Sequence, residues 1–152
     1  MKISQLLDKK AIIADLGALD KKGAIDELSV AVSTTTSASA KDIAMVLMER
    51  EQLGSTGIGG GIAIPHGKLD AVKSIRIGFG LSKKGVEYDS LDDKPVHLFF
   101  LLLTPENSAG GHLKVLAQIS KMLKMDQFKK KLMTAESVDA IYDIIIEQDE
   151  DF

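Results

Sequence analysis

Polar and apolar positions along this chain change period several times. From Asp20 to Ser33 the apolar residues recur at helical spacing, with Asp20 placed as an N-cap. A polar stretch, "VSTTTSASA" (Val32 to Ala40), then reads as a loop between two helices. Ser39 followed three residues later by Asp42 has capping-box spacing and opens a helix of about twelve residues, with Ile43, Val46 and Leu47 as its apolar stripe. The period then drops to two. "IRIGFGLS" (Ile75 to Ser82) places Ile75, Ile77, Phe79 and Leu81 on one face of a strand. "VHLFFLLLT" (Val96 to Thr104) is almost wholly apolar, as a strand covered on both faces should be. "GIAIP" is a further short strand that must stop at Pro65, which has no ladder donor. After Pro105 the helical period returns at His112 to Met125, Gln127 to Met133 and Ser137 to Gln148. Helices, then strands with a doubly buried member, then helices predict an α/β sandwich with helices on both faces of the sheet. The strand order is not set by this pattern.

The totals narrow the class. The 152 residues fit one domain, 1–152, with enough chain to bury a full core. There is no cysteine, so disulfides, thiolate chemistry and cysteine metal sites are excluded. A net charge of −3 argues against a nucleic-acid partner. The N-terminal "MKISQLLDKKAII" is too interrupted by charge for a signal peptide, and no apolar run has membrane-spanning length, so a cytoplasmic protein without membrane insertion is expected.

Candidate chemistry centres on "STGIGGGIAIPHGKLD", Ser55 to Asp70. A Walker-type loop fails because Ile62 occupies the position that needs glycine and Leu69 follows the lysine. A dinucleotide fingerprint begun at Gly57 and Gly59 fails at Ile62 as well, and a strand rather than a helix follows. His66, His97 and His112 lie in separate segments without metal-ligand spacing; a metal site would need them to converge in space. The surroundings of His66 distinguish it from a passive strand-end residue. Pro65 stiffens the backbone before it, and Gly67 removes a side chain beside the ring. Ser55, Thr56 and the amides of Gly57 and Gly59 offer donors to an anion. Such an imidazole suits a nucleophile that receives a phosphoryl group.

Two further residues complete a set. Only Arg50 and Arg76 are arginines, and Arg50 continues the Ile43–Val46 stripe, where it either snorkels past the core or faces a polar pocket. His112 heads the apolar face of Val115, Leu116, Ile119 and Leu123 in a first helical turn. With His66 they supply a nucleophile, a second imidazole to orient it or share charge, and a guanidinium for phosphoryl oxygens. Arg76 alternates away from Ile75 and Ile77 and reads as a solvated or salt-bridged strand residue; His97 reads as structural.

The stretch "EQLGSTGIGGGIAIPHGKL", with "PVHLFFLLLTPE" and "HLKVLAQISKML", resembles the phosphotransferase-system EIIA domains of the fructose/mannitol class, most nearly their nitrogen-regulatory branch. That resemblance covers nearly the whole chain. It implies a mixed β-sheet between helices. It also implies phosphorylation of His66 on Nε2 by an HPr- or NPr-like histidine phosphocarrier protein, with His112 and Arg50 as the other active-site residues and no cofactor or metal. It implies a regulator that binds target proteins according to phosphorylation state; Leu53 and Ile58, near the motif in the chain, are candidates for that docking surface, with core packing the stronger expectation for Leu53. The alternative within the family is a sugar-transport component that passes the phosphoryl group to an EIIB domain. Outside the family, a non-phosphorylated binding module or a metal protein remains.

Overall fold

A computed structural model describes residues 1–149. After a 3-10 turn at Ile3–Gln5, the chain forms strand β1 (Leu7–Ile13) and helices α1 (Lys21–Ser33) and α2 (Ala40–Glu51). The strands β2 (Gly57–Gly59), β3 (Ile62–Ala63), β4 (His66–Lys68), β5 (Arg76–Val86) and β6 (Val96–Thr104) follow, and then helices α3 (Ala109–Leu123), α4 (Asp126–Thr134) and α5 (Val138–Gln148).

The expected helix starts at α1 and α2 are present as caps. Asp20 accepts the amide of Gly23 at 2.8 Å, and Ser39 accepts that of Asp42 at 3.1 Å. The sheet runs β1-β5-β6-β3-β2, with β4 also paired to β6. It is mixed: β5 is antiparallel to β6, whereas β1 is parallel to β5 and both β3 and β4 are parallel to β6.

Strand β6 divides the core as its composition requires. Leu98, Phe100 and Leu102 join the cluster formed with α3, α4 and α5, while Phe99, Leu101 and Leu103 join the cluster formed with α1 and α2. The apolar face of β5 (Ile77, Phe79, Leu81) belongs to the first cluster. Its other face carries glycines where helix α1 comes close: a Cβ on Gly80 would lie 2.8 Å from the Leu28 side chain.

Two elements depart from the sequence reading. Strand β1 was not expected, because Asp8, Lys9 and Lys10 interrupt its apolar positions. Its register against β5 shifts between Leu7 and Ile12, so burial along it does not alternate. Helix α3 begins three residues before His112, which moves His112 to the fourth helical position.

Candidate functional site

Strands β3 and β4 are one line of chain interrupted at Ile64–Pro65. The Ile64 amide extends the β2–β3 pairing to the Thr56 carbonyl, 3.0 Å away, and Pro65 has no amide, yet its carbonyl still accepts from Leu102 at 2.9 Å. Pairing resumes with His66 opposite Leu102 on β6. His66 is therefore held by a buried strand. Gly67 points to α2, where a Cβ would meet Val46 Cγ1 at 2.5 Å. The missing side chain thus permits close helix–strand packing, and does not open space beside the imidazole.

His66 Nδ1 lies 2.8 Å from the carbonyl oxygen of Ile64. A carbonyl only accepts, so Nδ1 carries the proton and Nε2 of the neutral ring presents its lone pair. Arg50 Nε donates toward that Nε2 at 3.4 Å, and Arg50 Nη1 donates to the Gly54 carbonyl at 3.0 Å. Arg50 thus leaves the last turn of α2 for a polar pocket, which settles between the two placements open to it in the sequence. The ring of His112, reaching in from the first turns of α3, meets His66 edge-on with centroids 5.2 Å apart.

His112 Nδ1 is buried and has no hydrogen-bond partner among the described residues. Burial, then the neighbouring His66 and Lys68, holds the His112 pKa below the usual histidine value. A neutral ring with an unpartnered Nδ1 is cheapest when that nitrogen bears the lone pair, which leaves the proton on Nε2. The backbone at Gly111 is pinned beneath it, since a Cβ there would lie 2.9 Å from Ile75 Cδ1.

The loop residues divide. Ser55 Oγ accepts the Gly57 amide at 3.0 Å, and the Gly60 amide is taken by Asp92 Oδ2 at 3.0 Å. The Thr56 amide and hydroxyl both turn inward to the carboxylate of Glu51. Because the Thr56 hydroxyl hydrogen points to Glu51, the Tyr88 hydroxyl, 3.0 Å away, must be the donor of the pair. Burial, and then the Glu51 charge, push the Tyr88 pKa upward and keep that proton in place. Lys21 closes the network, with Nζ 3.0 Å from Glu51 Oε1 and 4.8 Å from the Tyr88 ring centroid. Thr56 and Gly57 are buried, so they serve the loop's shape, whereas Gly59, at φ 97°, supplies its turn.

Sequence reasoning missed Glu51, Tyr88 and Asp92 because their roles depend on partners far along the chain: Lys21 for Glu51, and Thr56 and Gly60, each 32 positions away, for Tyr88 and Asp92. A carboxylate in the last turn of a helix, against the dipole, was the available signal for Glu51. Leu53 is 84% exposed and corrects the expectation of core packing; Ile58 is half exposed, as expected of a surface residue. Among the described residues Arg76 pairs with no carboxylate, and it donates from Nε to the Thr35 carbonyl at 3.0 Å, just after α1. His97 Nδ1 is 2.7 Å from the Ser82 carbonyl, the structural bond expected of it. Among the described residues no group of three or more His, Cys, Asp or Glu side chains gathers as a metal site, and no helix is long and apolar enough to cross a membrane.

A mixed α/β fold that presents two imidazoles and a guanidinium at one end of its sheet defines the class. The chain belongs to the family described as "Phosphoenolpyruvate-dependent sugar phosphotransferase system, EIIA 2", which matches residues 5–148. It is 37% identical to a nitrogen regulatory protein of Bradyrhizobium diazoefficiens over 145 residues, 95% of each chain. It is 40% identical over 150 residues to the fructose-specific EIIABC component of Bacillus subtilis, of which it spans only 24%. The crystal structure of the nitrogen regulatory protein IIA-Ntr from Neisseria meningitidis superposes with a TM-score of 0.88 at 36% identity, covering 94% of this chain and 98% of that one. IIA mannitol from Escherichia coli, at 22% identity and a TM-score of 0.76, shares the fold.

Proposed function

We propose that this chain is a phosphocarrier of regulatory output: His66 Nε2 accepts a phosphoryl group from an HPr- or NPr-like histidine phosphocarrier, and the charge on His66 then governs binding to target proteins. The observation that carries this reading is the fixed tautomer of His66, with Nδ1 tied to Ile64 and Nε2 facing the Arg50 guanidinium.

In the transfer, the Nε2 lone pair attacks phosphorus and forms the N–P bond. The bond from phosphorus to the donor's imidazole nitrogen breaks, and its electron pair returns to that nitrogen. Positive charge developing on the His66 ring is shared through Nδ1–H with the Ile64 carbonyl. Arg50 offers its donors to the phosphoryl oxygens, and His112 supplies Nε2–H from a neutral ring. Fixed donors of this kind need no reorganisation as charge moves, which is most of what phosphoryl transfer asks of a protein. Once formed, the phosphoryl group adds negative charge to the site, and the exposed Leu53, Ile58 and Leu113, close in the chain to Arg50, the glycine loop and His112, are candidates for the partner's contact.

The near-equal length match to nitrogen regulatory relatives favours regulation. The second reading, a sugar-transport component that hands its phosphoryl group to a fructose- or mannitol-type EIIB, is favoured by the identity to the fructose-specific component. One experiment tests both. Incubation with phosphoenolpyruvate, enzyme I and a histidine phosphocarrier should place acid-labile, base-stable phosphate on the protein and none on His66→Ala. Labelling of His66→Ala at the normal rate refutes the site. Rapid draining of the label onto added EIIB would favour transport.

A further inference from the structure

The site has a second layer that the transfer chemistry does not use. Glu51 is the last residue of α2 and the neighbour of Arg50, and its side chain is only 3% exposed. Both its position against the helix dipole and its burial disfavour a carboxylate there. It is nonetheless fully engaged: Lys21 at 3.0 Å, the Thr56 amide at 3.1 Å and the Thr56 hydroxyl all meet it. Tyr88, itself 1% exposed, fixes the Thr56 hydroxyl from the far side and packs edge-on against Phe99 of β6, centroids 5.4 Å apart.

These contacts join four pieces of chain: the start of α1, the end of α2, the loop into β2, and the segment after β5. The turn between Glu51 and Thr56 contains Gly54, whose carbonyl receives Arg50 Nη1. The Thr56 carbonyl receives the Ile64 amide, and the Ile64 carbonyl holds His66 Nδ1. The guanidinium is thus anchored to the turn that the Glu51–Thr56 pair fixes, whereas His66 is also held to β6 through the Pro65 carbonyl and its pairing with Leu102.

We infer that Glu51 is a positioning residue for phosphoryl transfer: through Thr56, with Lys21 and Tyr88 in support, it sets Arg50 against His66 Nε2. This rests on the reading of His66 as phosphoryl acceptor. Replacing the carboxylate would leave the nucleophile in place and free the guanidinium to leave it. A residue that acts through Arg50 can do no harm once Arg50 is gone, which separates this role from a general loss of stability.

The test uses the full chain and the variants Glu51→Gln, Tyr88→Phe, Arg50→Ala and the double variant Glu51→Gln/Arg50→Ala. In nitrogen-resolved NMR of the unphosphorylated protein, the Arg50 Nε–H signal should be protected from exchange with water by its contact with His66 Nε2 in the wild type and lose that protection in Glu51→Gln, while the His66 Nδ1–H signal persists. The maximal rate of transfer to Glu51→Gln should fall about tenfold or more, with KM for the phosphocarrier little changed, and the double variant should be no slower than Arg50→Ala. Tyr88→Phe, which removes only the outermost hydrogen bond, should show a smaller loss in the same sense and keeps the test open if Glu51→Gln fails to fold. An unchanged Arg50 signal with a wild-type rate overturns the inference, as do losses that multiply in the double variant. If the wild type takes no phosphoryl group on His66, the function reading fails, and the Arg50 signal still decides whether Glu51 positions it.

Discussion

The imidazoles of His66 and His112 stand edge to face, centroids 5.2 Å apart and planes inclined at 65°. They come from a strand and a helix 46 positions apart, and they are not equivalent. His66 has its Nδ1 proton committed to a carbonyl, whereas His112 has a buried Nδ1 with no partner among the described residues. His66 thereby presents the lone pair of Nε2, whereas a neutral His112 keeps its proton on Nε2.

That asymmetry predicts a pH dependence. The folded-state pKa of His112 lies below its unfolded value of 6.5, so the unfolded chain binds the extra proton more readily. Stability should therefore fall as pH drops below about 6.5, until the folded value is passed. Urea unfolding across that range should show a flatter profile in His112→Gln. Phosphorylation of His66 places negative charge beside the ring and should move the His112 pKa upward, as read from its carbon-bound proton shifts.

Arg50→Lys keeps the charge but loses the planar fork that reaches both His66 Nε2 and the Gly54 carbonyl. Transfer to His66 should slow about 10- to 100-fold, while stability changes by less than about 0.5 kcal/mol. Wild-type transfer kinetics in this variant would remove Arg50 from the site.

Gly67→Ala tests the packing of the strand that carries His66 against α2. Its Cβ would lie 2.5 Å from Val46 Cγ1, a contact that one of the two must relieve. A loss of about 1–3 kcal/mol is expected in equilibrium unfolding. Adding Val46→Ala should recover part of it, which a purely conformational effect of the lost glycine would not allow.

Leu53, Ile58 and Leu113 each follow or precede site residues closely in the chain and are 84%, 50% and 66% exposed. Leu53→Asp should leave the melting temperature within about 2 °C, since an exposed substitution removes no core contact. Its binding to a histidine phosphocarrier should weaken measurably by calorimetry.

Local sequence carried much of the site. The failure of the phosphate-loop patterns at Ile62, the stiff Pro65–His66 pair and the helical spacing of Arg50 and His112 were all readable from neighbours within two turns. The caps at Asp20 and Ser39 were readable for the same reason, because a cap and the amide it satisfies lie three residues apart. Strand β1 escaped because its bulge breaks the alternation on which strand recognition depends. Leu53 was misplaced because hydrophobicity alone does not say which side of a turn faces water.

Periodicity and residue type were enough for the doubly buried β6 and for the helices on either side of the central strands, and they singled out His66, His112 and Arg50, which the fold brings together. Tertiary structure alone decided which strands pair and which nitrogen of His66 faces outward. It also decided that Thr56 turns inward to Glu51 and away from the site. Strand pairing depends on hydrogen bonds between segments distant in the chain; the bonds that set His66 and Thr56 span only two and five positions, but which donor meets which acceptor there follows from the backbone course that the packed sheet and helices impose.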